Sequence, residues 1–228
     1  MKSIVYAVAV VVLAMPARAQ VGHVPAQSPY QDLEYSQELT PVLGYVRTRH
    51  DPAGIAPQGA PMIGLRYELH LTGPLALSTE ITHSRNSRSV LDPSKPAATR
   101  ALGTVSSPVT SADLAFALNL TGEKSWHLLV PQVRGGIGLV HSAAQDDSSG
   151  FSFGTPLAFV IGGGLKLVPG GRVQFRADIT DRIFHLTYPD SYYRLAPDNT
   201  AVLDATTPRE FYTHHTALTV GVSWLFGR

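Results

Sequence analysis

The clearest pattern along the chain is a strict alternation of apolar and polar positions in Met62–Ser84. Odd-numbered positions from 63 to 71 are all apolar, whereas the positions between them carry small or charged residues. The alternation resumes at Leu75, after the turn-forming sequence Thr72-Gly73-Pro74. Alternation with a period of two on both sides of a short turn predicts an antiparallel β-hairpin.

Six further segments have the same period, and with the two strands of the hairpin they make eight predicted strands. The hairpin extends to about Arg85. The other strands are approximately Glu38–Arg47, Val109–Leu120, Trp126–His141, Thr155–Val168, Arg172–Leu186 and Tyr212–Phe226. Their connections alternate between long and short, which is typical of bacterial outer-membrane barrels with even strand numbers. The pattern therefore predicts an all-β fold, an eight-stranded antiparallel up-and-down transmembrane β-barrel.

The polar positions distinguish this barrel from a water-soluble one, in which the two faces are exchanged. They are crowded with Gly, Ala, Ser and Thr and carry few charges, whereas a water-soluble surface needs many more Lys and Glu. We therefore predict that the apolar positions face lipid and that the polar positions line a narrow interior. Asp181 lies on the outward parity of its strand, and we expect it beyond the apolar band or after a bulge.

The composition agrees with such a barrel. Charged residues make up 15% of the 228 residues, and the mean hydropathy is close to zero, as expected when only alternate strand residues meet lipid. A formal net charge of +1 gives no reason to expect nucleic acid as a partner. The chain has no cysteine, so its fold does not depend on disulfides.

The first residues have the pattern of a secretory signal. Lys2 provides the positive start, Ile4–Met15 the apolar stretch and Ala17-Arg18-Ala19 the small-residue cleavage site. The apolar stretch is well short of the ~20 residues that a transmembrane helix needs. We therefore expect export by a cleaved signal peptide over residues 1–19, followed by a flexible periplasmic segment over 20–37 and the barrel over 38–228.

Two strands, together with the signal segment, carry a resemblance to a known family. They are Leu39–Tyr45 and Leu218–Phe226. From about Glu38 onward the chain resembles the outer-membrane β-barrel domain family, which includes the barrel of outer membrane protein A and the opacity-type surface proteins. The resemblance implies a monomer among membrane lipids and lipopolysaccharide, inserted by the barrel-assembly machinery. Members commonly end on an aromatic residue, whereas two residues follow Phe226 here.

Nine charged residues occupy inward positions of the predicted strands. They are Arg66, Glu68, Glu80, Asp113, Arg134, Lys166, Arg176, Asp178 and Arg182. Eight strands enclose a space that side chains just fill, and buried charges need partners. We therefore expect a structural network of paired charges and no conducting pore. A gated proton or ion path is the alternative, and sustained currents across a planar bilayer would identify it.

Six histidines fall at the external ends of the predicted strands or just beyond them. They are His50, His83, His141, His185, His214 and His215. Histidine is a common metal ligand, so a zinc or copper site at this rim is one interpretation and a set of interfacial polar residues is the other. No short-spaced ligand motif supports a metal site, and we assign no metal, cofactor or catalytic residue.

An alternative function is a lipid A-modifying enzyme, either an acyl hydrolase or a transferase, because some eight-stranded outer-membrane barrels catalyse such reactions. A serine nucleophile needs a histidine base and an orienting acid. His83 and Ser84 provide the first two groups, and Asp181 or Glu80 provides the acid. However, adjacent strand residues point to opposite faces, and the His-x-Ser-Asn pattern of lipid A deacylases is absent.

The favoured interpretation is a structural or surface-interaction protein of the bacterial outer membrane. With the first strand starting on the periplasmic side, the three short turns lie inside and the four long loops outside. Loops on a rigid scaffold usually carry binding specificity. We therefore expect an external ligand or receptor to meet the long loops.

Overall fold

The computed structural model describes residues 28–143 and 147–227, and the predicted signal peptide lies outside them. The described chain is all-β. Its strands are β1 (Tyr30–Asp32), β2 (Gln37–Thr48), β3 (Ala60–Thr72), β4 (Leu75–Ser84), β5 (Ser87–Leu91), β6 (Ala101–Ser106), β7 (Val109–Asn119), β8 (Lys124–Trp126), β9 (Leu129–Ser142), β10 (Leu157–Leu167), β11 (Val173–Thr187) and β12 (Glu210–Phe226). One turn of 3-10 helix, Asp190–Tyr193, lies between β11 and β12. No helix within these residues has the length and apolar character needed to cross a membrane.

Eight long strands form a closed barrel in which each strand pairs antiparallel with the next. Their order around the barrel is β2, β3, β4, β7, β9, β10, β11 and β12. The barrel closes between β12 and β2, where Leu218 lies opposite Tyr45 and Trp224 lies opposite Leu39. The predicted fold class is therefore confirmed. Closure leaves the barrel without a free sheet edge, as required where no water can satisfy backbone polar groups.

The outer wall of the barrel is apolar and exposed. Leu218, Leu43 and Ile63 are 63%, 62% and 60% exposed, and most of the intervening strand positions are buried and carry mainly polar or small side chains. A continuous exposed apolar surface of this kind is unfavourable in water and marks contact with a membrane. The predicted orientation, with the apolar parity outward, is therefore the one found in the structure.

The interior is narrow because glycine stands where neighbouring strands or side chains come close. A Cβ atom at Gly136 of β9 would collide with the backbone of Leu114 and Ala115 on β7. A Cβ atom at Gly164 of β10 would collide with the carboxylate of Asp178. Small residues on the inward parity therefore leave room for the charged side chains that fill the barrel.

The predicted strand Trp126–His141 is divided in the structure. β8 ends at Trp126 and β9 begins at Leu129, and these two residues lie opposite each other. Between them, His127 and Leu128 have φ angles of 50° and 67°. Two successive residues in the left-handed region are typical of a tight hairpin turn. The prediction of one continuous strand is wrong because an apolar residue occupies the turn, where the sequence shows no Gly, Pro or Asn.

A short strap, residues 28–36, crosses the turn end of the barrel. β1 pairs with β8, with Gln31 opposite Ser125, and Ser36 donates its backbone N–H to the carbonyl oxygen of Gly227 at 3.0 Å. No period in the sequence indicates this pairing, since β1 has only three residues. The remainder of the segment predicted to be flexible, residues 20–27, lies outside the described residues.

Candidate functional site

The interior of the barrel is filled by five acidic and five basic side chains, all buried. They are Glu38, Glu68, Glu80, Asp113 and Asp178, and Arg66, Arg134, Lys166, Arg176 and Arg182. Nine of the ten are the inward charges that the sequence indicates, and Glu38 is the one that it missed. Equal numbers of the two signs make the interior neutral when all ten are ionised. Neutrality is what allows so many charges to be removed from water together.

The half of the network nearest the short turns, the turn-side cluster, joins two glutamates to two bases. The ammonium of Lys166 lies 3.0 Å from Glu38 Oε2 and 2.5 Å from Glu68 Oε1. The guanidinium of Arg176 contacts Glu38 and lies 3.2 Å from Glu68 Oε2. The side-chain amide of Gln132 also donates to Glu68 Oε1 at 2.6 Å. Each carboxylate is therefore held by several donors, which fixes its position.

The half nearest the long loops, the loop-side cluster, has the same construction. Arg182 Nη2 lies 2.6 Å from Asp113 Oδ2 and 2.9 Å from Glu80 Oε1. Arg134 Nη1 lies 3.1 Å from Glu80 Oε2, and its Nη2 lies 3.4 Å from Asp113 Oδ2. Arg66 also contacts Glu80. Three bases thus surround two acids in this cluster.

Asp178 connects the two clusters. Its carboxylate accepts hydrogen bonds from Arg176 at 2.8 and 3.0 Å, and it lies 3.0 Å from Arg66 Nη1. Ion pairs therefore continue along the interior from the turn-side to the loop-side cluster. Because guanidinium groups do not release protons at physiological pH, this chain of contacts suits structural cross-linking and is a poor proton path.

Four of the six predicted rim histidines lie on the outer wall, each beside a polar partner. The Nδ1 atoms of His83 and His141 lie 2.9 and 2.8 Å from the hydroxyls of Thr110 and Thr155. The Nδ1 atom of His214 lies 2.7 Å from Asp181 Oδ2, and His185 Nε2 lies 3.5 Å from Glu210 Oε2. His50 is exposed in the first long loop.

His215 does not lie at the rim. It is 3% exposed, and its ring packs edge-on against Phe184 with 4.7 Å between centroids. Consecutive residues of a strand point to opposite faces, so His214 and His215 cannot both face outward. The prediction grouped the two by their position along the chain, and the alternation of β12 separates them.

The rim histidines do not converge on one point. Within the described residues, the only group of three His, Asp or Glu side chains close enough to share a metal ion is Glu38, Glu68 and His70, with ligand atoms within 4.8 Å of one another. That group lies at the turn end, and the ammonium of Lys166 already contacts both carboxylates. A metal ion there would have to displace this cation.

The residues suggested for acyl chemistry are separated. His83 is exposed on the outer wall, whereas Ser84 is buried and donates its hydroxyl to Asn86 at 2.5 Å. Glu80 lies in the loop-side cluster. Asp181 follows no bulge; it lies in regular register opposite Ile161 and Thr216. Its charge is satisfied on the outer wall by hydrogen bonds from its neighbours on β12.

Solved structures with this architecture are found among small membrane barrels. The crystal structure of Neisserial surface protein A matches with a TM-score of 0.50 at 10% sequence identity, over 83% of this chain and 97% of that one. The outer membrane protein OprG from Pseudomonas aeruginosa matches with a TM-score of 0.50 at 9% identity, over 85% and 98% of the two chains. No family model and no curated protein matches the chain.

The chain is an eight-stranded barrel of the outer-membrane type. In such barrels the long loops stand at the external end. The barrel described here has four long loops, after β2, β4, β9 and β11. The second contains the β5–β6 hairpin, in which Ser89 lies opposite Thr104.

The external loops of the barrel pack into an ordered apolar cluster, which we call the external cap. It joins inward residues at the loop end of the strands to residues of three loops. Its buried members are Ile55, Ala56, Val109, Val140, Phe151, Phe153, Ala158, Phe184, Leu186, Tyr188, Tyr192 and Leu203. Loops that share a buried core hold a defined surface, unlike loops that project separately into solvent.

Asp51 is the polar centre of the external cap. Its carboxylate accepts hydrogen bonds from the hydroxyl of Tyr188 at 2.7 Å and from the backbone N–H groups of Ile55 and Ala56 at 3.3 and 3.0 Å. Burial, together with the hydrogen bond to Asp51, raises the pKa of Tyr188 above its ordinary value. Burial also raises the pKa of Tyr192 to about 12.

The raised phenol pKa values mean that the cap favours neutral tyrosines. The unfolded value is about 10, so this contribution to stability is complete below about pH 10 and is lost only as the pH rises above that value. The external cap is therefore insensitive to tyrosine ionisation throughout the physiological range.

Two arginine side chains connect the second loop to the third and fourth loops. The guanidinium of Arg100 donates to the backbone carbonyl oxygens of Ala201 and Thr200 at 2.7 and 3.1 Å. Arg88 contacts Asp147 of the third loop, and its guanidinium lies 5.6 Å from the centroid of the Phe151 ring. The second loop, which contains the β5–β6 hairpin, is therefore held in place on the cap by contacts with the third and fourth loops.

Proposed function

We propose that this barrel is an exported, non-conducting protein of the bacterial outer membrane that meets external partners through its cap. Placement in that membrane is supported by the exposed apolar wall and by the even number of strands with long loops at one end. Export is supported by the signal pattern over residues 1–19. Membrane lipids, lipopolysaccharide and the barrel-assembly machinery are then its expected contacts, and the closed barrel suits a monomer.

The observation that carries the proposal is that both ends and the interior of the barrel are occupied. The interior holds ten mutually paired charges, and the cap covers the external end with packed side chains. The strap of residues 28–36 crosses the turn end. Such a molecule has no open path for ions through the barrel. It does present a rigid surface outside the cell.

The cap supports a surface-interaction role because its outer parts combine order with exposure. β6 is exposed along most of its length although β5, its partner, is half-buried. Leu102 and Leu195 are 46% and 68% exposed. Exposed apolar side chains on an ordered loop surface are typical of sites that contact other macromolecules.

Planar-bilayer recording tests the non-conducting part of the proposal. We expect the purified barrel to give no sustained current, because removing the interior charges from their partners is too unfavourable to open a path. The variant Arg176→Ala, which removes a large interior side chain, is recorded in parallel, and heat-resistant migration of protein recovered from the same vesicles shows that folded barrel is present. Sustained open currents from the unmodified chain would contradict the proposal.

Excision of the β5–β6 hairpin tests the interaction part. Asn86 and Ser107 are retained, because the backbone carbonyl of the first accepts from the N–H of the second at 2.8 Å, and residues 87–106 are replaced by a short Gly-Ser link. We expect heat-resistant migration on gels to persist. Attachment of displaying cells to epithelial monolayers or to one another should fall to that of cells without the protein. Equal attachment by cells with and without the intact chain in both assays would contradict the proposal.

A further inference from the structure

A group of polar side chains interrupts the apolar outer wall near its loop end, on the strands that close the barrel. Asp181 of β11 lies beside Thr216 of β12, which lies opposite Arg47 of β2. One step nearer the loops, the backbone N–H of Arg49 donates to the carbonyl oxygen of His214 at 3.2 Å. We call these five residues the arginine sector.

The arginine sector carries two cations that the protein itself does not neutralise. The side chains of Arg47 and Arg49 are exposed, and neither has a carboxylate partner within the part of the chain that the structure describes. Asp181 is already engaged, because His214 Nδ1 lies 2.7 Å from one of its oxygens and the Thr216 hydroxyl donates to the other at 3.0 Å. The sector is therefore net positive.

The opposite end of the barrel lacks this excess. Lys124 pairs with Asp32 at 3.3 Å, and the other exposed charges there include Glu34, Glu123 and Arg172. The turn end thus carries charges of both signs, whereas the arginine sector stands at the loop end with free guanidinium groups.

The apolar wall continues directly below the arginine sector. Leu218 and Tyr45 lie one pair further down the same two strands, and Val220 and Leu43 lie one pair below them, all exposed. A molecule that fits both regions has a negatively charged head at the level of the arginines and hydrocarbon chains along the wall. A lipid with a phosphate group in its head has this shape and charge.

We propose that the arginine sector binds the phosphate group of a lipid in the external leaflet. Guanidinium groups bind phosphate oxygens through paired hydrogen bonds. Arg47 and Arg49 provide two such groups, two residues apart in the sequence and both exposed. Asp181 accepts a hydrogen bond from His214 Nδ1 and so fixes the orientation of the His214 ring beside the two arginines. This inference rests on the membrane placement proposed above and names the lipid class that the outer wall selects.

The selectivity of spin-labelled lipids for the reconstituted barrel tests this site. The ratio of association constants for spin-labelled phosphatidic acid and phosphatidylcholine is measured for the intact chain and for Arg47→Gln/Arg49→Gln. Each basic residue near a membrane surface contributes about a fivefold preference for an anionic head group, so the variant should lose at least about fivefold in this ratio. Arg172→Gln, which removes one exposed arginine from the mixed charges of the turn end, should lower the ratio clearly less than the double variant does.

The variant Arg47→Lys/Arg49→Lys keeps both charges and should retain most of the preference. Heat-resistant migration shows that each variant is folded. Equal ratios for the intact chain and the double Gln variant would overturn the inference, and so would an equal loss caused by Arg172→Gln. A folded, membrane-inserted barrel without lipid preference refutes this site alone, whereas a chain that fails to insert into vesicles refutes the proposed membrane placement.

Discussion

Arg176→Met is expected to lower the free energy of unfolding by about 3–5 kcal/mol, the usual cost of removing one partner from a buried ion pair. Arg176 contacts Glu38, Glu68 and Asp178 inside the barrel. Methionine fills part of the space and supplies no charge, so three buried carboxylates would share the remaining bases. Urea unfolding in lipid vesicles, followed by tryptophan fluorescence, measures the change.

The matched control is Lys124→Met, which removes the base of an exposed pair with Asp32. Exposed ion pairs contribute at most about 1 kcal/mol, so this variant should be nearly as stable as the intact chain. The double variant Glu68→Gln/Arg176→Met restores charge balance in the interior and should recover part of the loss. Equal, small effects of Arg176→Met and Lys124→Met would show that the interior network does not stabilise the barrel.

Val220→Arg is expected to cost about 2–4 kcal/mol, the measured range for a cation at the lipid-facing midplane of a membrane barrel. Val220 is 57% exposed and lies opposite Ala177 of β11 and Leu43 of β2, near the middle of the apolar wall. An arginine there either enters hydrocarbon or extends along the wall to reach water. The same unfolding assay measures the cost.

Thr216→Arg is the control for depth. Thr216 lies on the same face of β12 but four residues nearer the loops, in the arginine sector. Near the membrane interface an added cation costs only about 0–1 kcal/mol. If both substitutions cost the same small amount, the outer wall would not be in contact with hydrocarbon.

The barrel was predictable from sequence because the environment of its strands, interior on one face and lipid on the other, changes at every residue. Burial of one strand face and lipid contact of the other impose a period of two, and strands such as β4 and β7 follow it over their whole length. The same period of two placed nine of the ten interior charged residues at inward strand positions. Glu38 was missed because it stands at the first predicted strand position, where a single residue shows no alternation.

The elements that the sequence did not indicate are held by contacts that leave no periodic signal. β1 and β8 have three residues each, which is too short for a period. The turn at His127 and Leu128 depends on positive φ angles, which are uncommon for residues other than glycine and which Leu in particular rarely adopts. Pro41 lies within β2, where the pairing with β12 skips from Val42 to Leu39. Its missing N–H is therefore accommodated by an interruption of the ladder.

The external cap was beyond prediction for a different reason. Its core joins residues far apart in sequence, such as Ile55, Phe151 and Leu203, and each lies in a loop whose few apolar residues follow no period. Tertiary packing alone gives such residues a common role. Sequence patterns identified the four long loops and indicated that they share one end of the barrel. Their common core is visible only in the structure.

The orientation of the outer wall is tested most directly by quenching of a single tryptophan. Phe116 is 57% exposed on β7, and the chain has two tryptophans, Trp126 and Trp224, which are replaced by Phe. In the Phe116→Trp variant of that chain, reconstituted in vesicles, emission should be strongly quenched by lipids brominated along their acyl chains and little affected by acrylamide in water. Strong quenching by acrylamide without quenching by brominated lipid would place the apolar face in water and contradict the account.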